Sequence, residues 1–137
     1  MKHLFVSYKL ALKLKEKGFN EACLALYSRK GELTSLDAID YEELRGVINS
    51  HTNYNFPCTA PLYQQVVDWL DSKGIHIQIT PEFYQDGINW NFQVWEYDSK
   101  AYDCVSDRSS MMYGDNHEYP TRIDAINGAI EEALKLI

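Results

Sequence analysis

Residues 75–80 read IHIQIT and residues 88–94 read INWNFQV. Apolar and polar residues alternate in both runs, which is typical of strands that turn one face to a core and the other to solvent. Asp86 and Gly87 lie between the runs and favour a tight turn, so the two runs predict an antiparallel hairpin. Pro81 lacks a backbone N–H and is expected to end the central pairing of the first strand.

The segment after this hairpin has a different pattern. The large side chains of Trp95 and Tyr97 fall on the opposite parity from the preceding run, which predicts a bulge or a sheet covered on both faces. We expect a further strand at residues 101–105 and a polar loop at residues 106–118. Thr121 is expected to cap a final helix. Its apolar stripe consists of Ile123, Ile126, Ile130, Ala133, Leu134 and Ile137.

Three helices and a hairpin are predicted ahead of residue 75. Ser7 is expected to cap the first helix and Gly18 to end it. Pro61 suits the first position of the third helix, and Gly74 ends it. Between the first and third helices we expect a hairpin of residues 22–27 with 32–36. A short second helix at residues 40–48 and an Asn-rich loop at residues 49–57 follow it.

These elements predict a single α+β domain of two layers over residues 1–137. An antiparallel sheet of about four to five strands would form one layer, and the helices would pack mainly on one of its faces. A chain of 137 residues is large enough to bury such a core without disulfide or metal support. Neither an internal repeat nor a low-complexity linker divides the sequence.

The charges are distributed unevenly along the chain. The formal net charge is −7, but residues 1–30 contain seven Lys or Arg against two Glu, so this segment carries +5 and the rest carries −12. An acidic majority disfavours nucleic-acid binding, which depends on neutralising phosphates with Lys and Arg. Two interpretations of the basic first helix stay open: a solvated face, or a weak nucleic-acid site. That site would use Lys2, Lys9, Lys13 and Lys17.

The second half has the element order of a double-stranded RNA-binding domain, with a helix, three antiparallel strands and a helix. Such domains contact phosphates through basic side chains. Residues 75–120 instead hold eight acidic residues against Lys100 and Arg108. The electrostatics therefore oppose RNA binding.

The cysteines and the apolar runs predict a cytoplasmic protein. Cys23, Cys58 and Cys104 lie far apart, and their odd number argues against a closed disulfide framework. The apolar stretch near residue 5 is too short for a signal peptide. No apolar run approaches the roughly 18 residues that indicate a membrane-spanning helix.

Cys58 is the candidate for catalysis, although the chain shows no catalytic motif. It lies just ahead of the helix that begins near Pro61, where the helix dipole and free N–H groups would lower the pKa of a thiol. Either His51 or His117 would complete a Cys–His pair. The alternative is that Cys58 is a small buried apolar residue, as free cysteines commonly are. On this second interpretation the chain has no catalytic residue.

The sequence predicts neither a metal site nor a cofactor. Asp115, His117 and Glu118 are close together, but the metal-binding spacings CxxC, HxxxH and HExxH are missing. The seven glycines are isolated and form no phosphate-binding loop.

Four segments carry a family resemblance: residues 2–8 (KHLFVSY), 14–19 (LKEKGF), 60–70 (APLYQQVVDWL) and 129–137 (AIEEALKLI). They resemble a group of small uncharacterised proteins of Bacteroidetes genomes, phages and related mobile elements. The similar residues form helix starts, helix stops and packing faces. The resemblance implies a small cytosolic accessory protein and no particular activity.

Protein binding is the function that the sequence favours. Trp95, Tyr97 and Tyr102 are expected on adjacent strands, where they would form an aromatic patch on one sheet face. Aromatic patches are common at interfaces, and such a patch on a single chain can pair with its own copy about a two-fold axis. The competing interpretation places the three side chains in the core. We therefore predict a non-enzymatic accessory protein that binds another protein or forms a homodimer.

Overall fold

The computed structural model describes residues 2–35, 46–97, 104–109 and 119–137. Its helices and strands are, in chain order, α1 (Tyr8–Glu16), β1 (Ala25–Tyr27), β2 (Leu33–Ser35), β3 (Cys58–Thr59), α2 (Tyr63–Ser72), β4 (Ile75–Tyr84), β5 (Gly87–Tyr97), β6 (Cys104–Ser109) and α3 (Arg122–Ala133). Short 3₁₀ turns occur at Lys2–Leu4, Asn49–His51 and Leu134–Leu136. The mixed α+β class is confirmed.

The six strands form two sheets of three strands each, in the orders β2-β1-β3 and β4-β5-β6. The expected single sheet of four to five strands is therefore matched only in part. The chain divides into two compact units, Met1–Trp69 and Leu70–Ile137, with one sheet in each. The single-domain organisation stays a prediction.

Helix α1 begins and ends where the sequence predicts. The Ser7 hydroxyl accepts a hydrogen bond from the Leu10 N–H at 3.3 Å, which satisfies one free donor of the first turn. Gly18 has φ +88° and the Phe19 N–H donates to the Leu14 carbonyl at 2.9 Å, so glycine provides the left-handed residue that closes the helix. Phe19 is buried and packs edge-on against Trp69, with ring centroids 5.4 Å apart.

The sheet of the first unit is shorter than expected. β1 pairs antiparallel with β2 and with β3, so Leu26 lies between Thr34 and Thr59. The helix predicted at residues 40–48 lies mostly outside the described residues. Near its end, Val47 exchanges two 2.9 Å backbone hydrogen bonds with Cys23, which a helical residue would not do. That part of the prediction is wrong.

The hairpin of the second unit extends further than its sequence pattern predicts. β4 and β5 pair without interruption from Ile75 opposite Glu96 to Tyr84 opposite Gly87. β4 therefore continues through Pro81, and the turn consists of Gln85 and Asp86 rather than Asp86 and Gly87.

The third strand of this sheet also departs from the prediction. β6 begins at Cys104 and includes four residues that we expected in a loop, 106–109. Its pairing with β5 shifts between Glu96 and Tyr97, where Val105 of β6 is the extra residue. β5 itself pairs with β4 without a shift through Trp95 and Glu96, so the bulge that the change of parity predicts in β5 is not found.

Helix α3 covers one face of this sheet. Thr121 caps it as predicted, accepting the Asp124 N–H at 3.1 Å. Its buried residues are Ala125, Ala129, Ile130 and Ala133. Gly128 provides the closest approach, because a Cβ there would lie 2.7 Å from the Tyr119 hydroxyl and 2.8 Å from the Phe92 ring. The small residues of α3 therefore bring the helix backbone down onto the aromatic rings.

Among the described residues, no helix combines the length and the apolar character needed to cross a membrane.

Candidate functional site

Cys58 lies in β3, opposite Tyr27, and is completely buried. Burial raises the pKa of its thiol to about 11, and the nearby positive charge of Lys15 offsets only part of this effect. The expected lowering of the Cys58 pKa is therefore wrong. Desolvation of the thiolate outweighs any helix dipole, because the side chain lies in the interior and β3 precedes the helix. Cys58 would be protonated and inert at neutral pH.

The two histidines proposed as partners do not change this conclusion. His51 is exposed in a 3₁₀ turn, and no hydrogen bond joins it to Cys58. His117 lies outside the described residues, so its part in the prediction is untested. Burial likewise raises the pKa of a second thiol, that of Cys23, to about 11, and the nearby Thr59 side chain opposes only part of this effect.

Two polar side chains of the first unit, those of Asn49 and Lys15, bind backbone groups of the same unit. Asn49 is buried, donates through Nδ2 to the Phe19 carbonyl at 2.7 Å and accepts the Thr59 N–H through Oδ1 at 2.9 Å. Lys15 donates through Nζ to the Pro57 carbonyl at 2.7 Å and to the Thr52 hydroxyl at 2.8 Å. These contacts fix the loop that precedes β3. In the sequence alone, Asn49 is an ordinary residue of an Asn-rich loop.

The lysines considered for nucleic-acid binding lie on or near α1. Lys2, Lys9 and Lys17 are exposed and Lys13 is half-buried. Lys13 and Lys17 each have interactions with other residues. No group of three or more potential metal ligands occurs in the part of the chain that the structure describes, and Asp115, His117 and Glu118 lie outside it.

The second unit exposes apolar side chains at the end of its hairpin. On the sheet face that α3 covers, Phe92 and Val94 are buried. Further along the same face, Phe83 and Ile88 lie directly opposite each other and are 75% and 49% exposed. We call Phe83, Ile88 and the neighbouring Tyr84 the hairpin tip. Two large apolar side chains thus face solvent at the far end of a face that is otherwise core.

The opposite face of this sheet is polar. His76, Gln78 and Thr80 are exposed along β4. Nδ1 of His76 lies 2.7 Å from a carboxylate oxygen of Asp71, an exposed contact. Trp95 is half-buried on this face and pairs with His76 in the ladder.

Of the three residues predicted to form an aromatic patch, the structure places one side chain. Trp95 lies on the polar face. Tyr97 ends β5, but its side chain is not among those that the structure describes, and Tyr102 lies outside the described residues. The patch itself stays a prediction.

The outer edge of β4 has no partner strand in the part of the chain that the structure describes. Trp90 and Tyr119 exchange N–H···O bonds of 2.9 and 3.0 Å, so the polar backbone groups of Trp90 point away from β4. Its partner Pro81 must then point away from β5, because opposed residues in an antiparallel ladder either bond each other or both face outward. The same holds for every second residue: Ile75, Ile77, Ile79 and Phe83. No described strand pairs with this edge.

This edge position explains why the prediction at Pro81 failed. A proline interrupts a central strand because its missing N–H leaves a ladder partner unsatisfied. Pro81 faces the free side, where no bond to β5 is lost. The alternation of apolar and polar residues continues through Phe83 and begins again at Ile88, so the sequence does indicate the hairpin tip. This signal was missed because Pro81 was expected to end the strand.

Comparison of the chain with protein-family models, with curated protein sequences and with solved structures gives no match.

Proposed function

We propose that the chain is a non-enzymatic, cytoplasmic protein-binding module, and that its contact surface is the sheet of the second unit. The observation that carries the proposal is the exposure of Phe83 and Ile88 side by side at the hairpin tip. Contiguous exposed apolar side chains on a small protein commonly mark interaction sites. Aromatic residues of this kind also contribute strongly to binding once they are desolvated.

The rival enzymatic function has little support in the described residues. The thiols of Cys23 and Cys58 are buried and have a raised pKa, whereas a nucleophilic cysteine needs an accessible thiolate. The first unit uses Asn49 and Lys15 to hold its own loops, which leaves the second unit as the better candidate for contact with other molecules.

The test compares the native chain with a variant that carries Phe83→Ser and Ile88→Ser. Both residues are exposed, so we expect the variant to keep the thermal stability of the native chain to within a few degrees. Light scattering across a concentration series, together with a quantitative pull-down, should show self-association or a bound protein that the variant loses.

Leu24→Ser is the matched control, because Leu24 is 64% exposed and lies in the first unit. It should retain the binding of the native chain. A native chain that neither associates with itself nor binds any protein through the hairpin tip would contradict the proposed function.

A further inference from the structure

We propose that the outer edge of β4 pairs with β4 of a second copy of this chain, antiparallel and about a two-fold axis at Ile79. This inference rests on the proposed function and names its partner. The pairing would join the two three-stranded sheets into one sheet of six strands. It would close on itself, because each copy contributes the same edge.

The outer edge of β4 is regular, and no described strand pairs with it. β4 pairs with β5 over ten residues without a register shift, so no bulge twists its outer side away. Proteins commonly protect a free edge with lysine, proline or a bulge. Residues 75–84 contain no lysine, and their proline still offers its outward carbonyl. Four outward amides, those of Ile75, Ile77, Ile79 and Phe83, have no partner among the described strands.

The sequence of β4 is also complementary to itself. Apolar residues occupy positions 75, 77, 79, 81 and 83, and polar residues occupy 76, 78, 80 and 82. Both sets are symmetric about Ile79. An antiparallel copy in this register therefore places apolar side chains opposite apolar ones and polar side chains opposite polar ones.

The same register also brings together two polar side chains of complementary chemistry. The register centred on Ile79 brings His76 of each copy opposite Glu82 of the other, and these are the two titratable side chains between residues 75 and 83. Both lie on the polar face, where His76 is exposed and Glu82 is half-buried. Moving the register by two residues in either direction would place His76 opposite Thr80 or Tyr84 instead. One register alone therefore places a histidine, which can donate a hydrogen bond, opposite a carboxylate.

The same register makes the most backbone hydrogen bonds. Outward residues would bond in pairs, with Ile75 opposite Phe83, Ile77 opposite Pro81 and Ile79 opposite itself. This arrangement gives about eight inter-chain bonds after the missing Pro81 N–H is discounted, against about six for a shift of two residues either way. Phe83 would also gain an apolar neighbour on the face where it is now exposed.

The test exchanges the two charges. Glu82→Lys alone places lysine opposite His76, and His76→Glu alone places glutamate opposite Glu82. Each single variant should dimerise roughly tenfold more weakly than the native chain, because each loses the two His76–Glu82 contacts of the dimer. An equimolar mixture of the two variants should form a heterodimer, since both of its pairs are complementary, and the double variant should recover the homodimer.

The design isolates contacts between copies. Positions 76 and 82 lie about 20 Å apart along one strand, so a rescue cannot arise within a single chain. Glu32→Lys is the control for net charge, because Glu32 is exposed in the first unit. It should leave the dimer constant unchanged. Circular dichroism spectra would verify that each variant is folded.

Light scattering of the variants and their mixture separates the outcomes. Weak single variants with a restored mixture support this register. Single variants that dimerise as well as the native chain overturn it. A native chain that stays monomeric but binds another protein through the hairpin tip overturns this inference and leaves the proposed function intact. A monomer that binds nothing through the tip overturns both.

Discussion

The two sheets of this protein use their residues in opposite ways. In the first unit, β1 is three residues long and completely buried, and its surroundings are fixed by polar side chains that bond to backbone groups, such as Asn49. In the second unit, β4 and β5 are ten and eleven residues long. They expose a polar face, an apolar tip and one edge without a described strand partner.

This difference is the basis for the proposed binding surface. The strands of the first sheet are two or three residues long, so its edges offer few backbone groups to a partner. A long sheet with a free edge provides backbone donors and acceptors in a regular row, which is the feature that strand addition requires. On this basis we propose a structural role for the first unit and a contact role for the second. Each side of this contrast can be tested.

The largest expected effect concerns the thiols of the first unit. With a pKa near 11, Cys23 and Cys58 should react with a disulfide reagent at pH 7.5 at least about 100-fold more slowly in the native chain than in urea. Site-resolved mass spectrometry gives the two rates separately from that of Cys104. A fast Cys58 in the folded chain would show that the first unit has a reactive site.

The same shifts predict how stability depends on pH. Their folded pKa is raised above the ordinary value of 9.0, so the folded chain holds these protons more tightly than the unfolded chain. The contribution to stability is complete below pH 9 and is lost as the pH rises towards 11, by about 1 kcal/mol per pH unit for each thiol. Urea melts at pH 8, 9 and 10 would measure this slope. The double variant Cys23→Ala, Cys58→Ala should show a flatter one.

Asn49→Ala should cause the largest loss of stability at neutral pH among these substitutions. The change leaves the Phe19 carbonyl and the Thr59 N–H without their partner in the interior, at a cost of about 3 kcal/mol. Asn20→Ala is the matched control, since the exposed Asn20 also accepts a backbone N–H, that of Ser50. It should cost less than about 1 kcal/mol. Equal losses in urea melts would show that Asn49 does not hold the first unit together.

Gly128→Ala should have a smaller effect in the second unit. Alanine favours a helix over glycine by about 1 kcal/mol, but its Cβ would clash with Phe92 and Tyr119, and overpacking costs about 1–3 kcal/mol. We expect a net loss of about 1 kcal/mol. Gly87→Ala meets no atom within 4 Å and should be close to neutral. A stabilised Gly128→Ala variant would show that α3 packs less closely than described.

Local features of the fold could be predicted from the sequence. The capping residues Ser7 and Thr121 and the stop at Gly18 act within one helical turn, so their effect is visible in a short segment. Alternation along β4 and β5 likewise reflects one face of a sheet.

Features that depend on distant contacts could not be predicted. Cys58 resembles a residue at a helix start until the fold buries it opposite Tyr27. Asn49 resembles a loop residue until Phe19 and Thr59 are placed around its amide. The exposure of Phe83 depends on where α3 ends its cover of the sheet. In each case the surroundings come from residues far away in the chain.

Amide hydrogen exchange along β4, measured at several protein concentrations, tests the central claim most directly. The amides of Gln78, Thr80 and Glu82 bond to β5 and should be protected at every concentration, so they provide an internal reference. The outward amides of Ile77, Ile79 and Phe83 should exchange rapidly in dilute solution and become protected as the concentration rises. If they exchange rapidly at every concentration while the chain is dimeric, the copies associate through another surface and the account of the β4 edge is wrong.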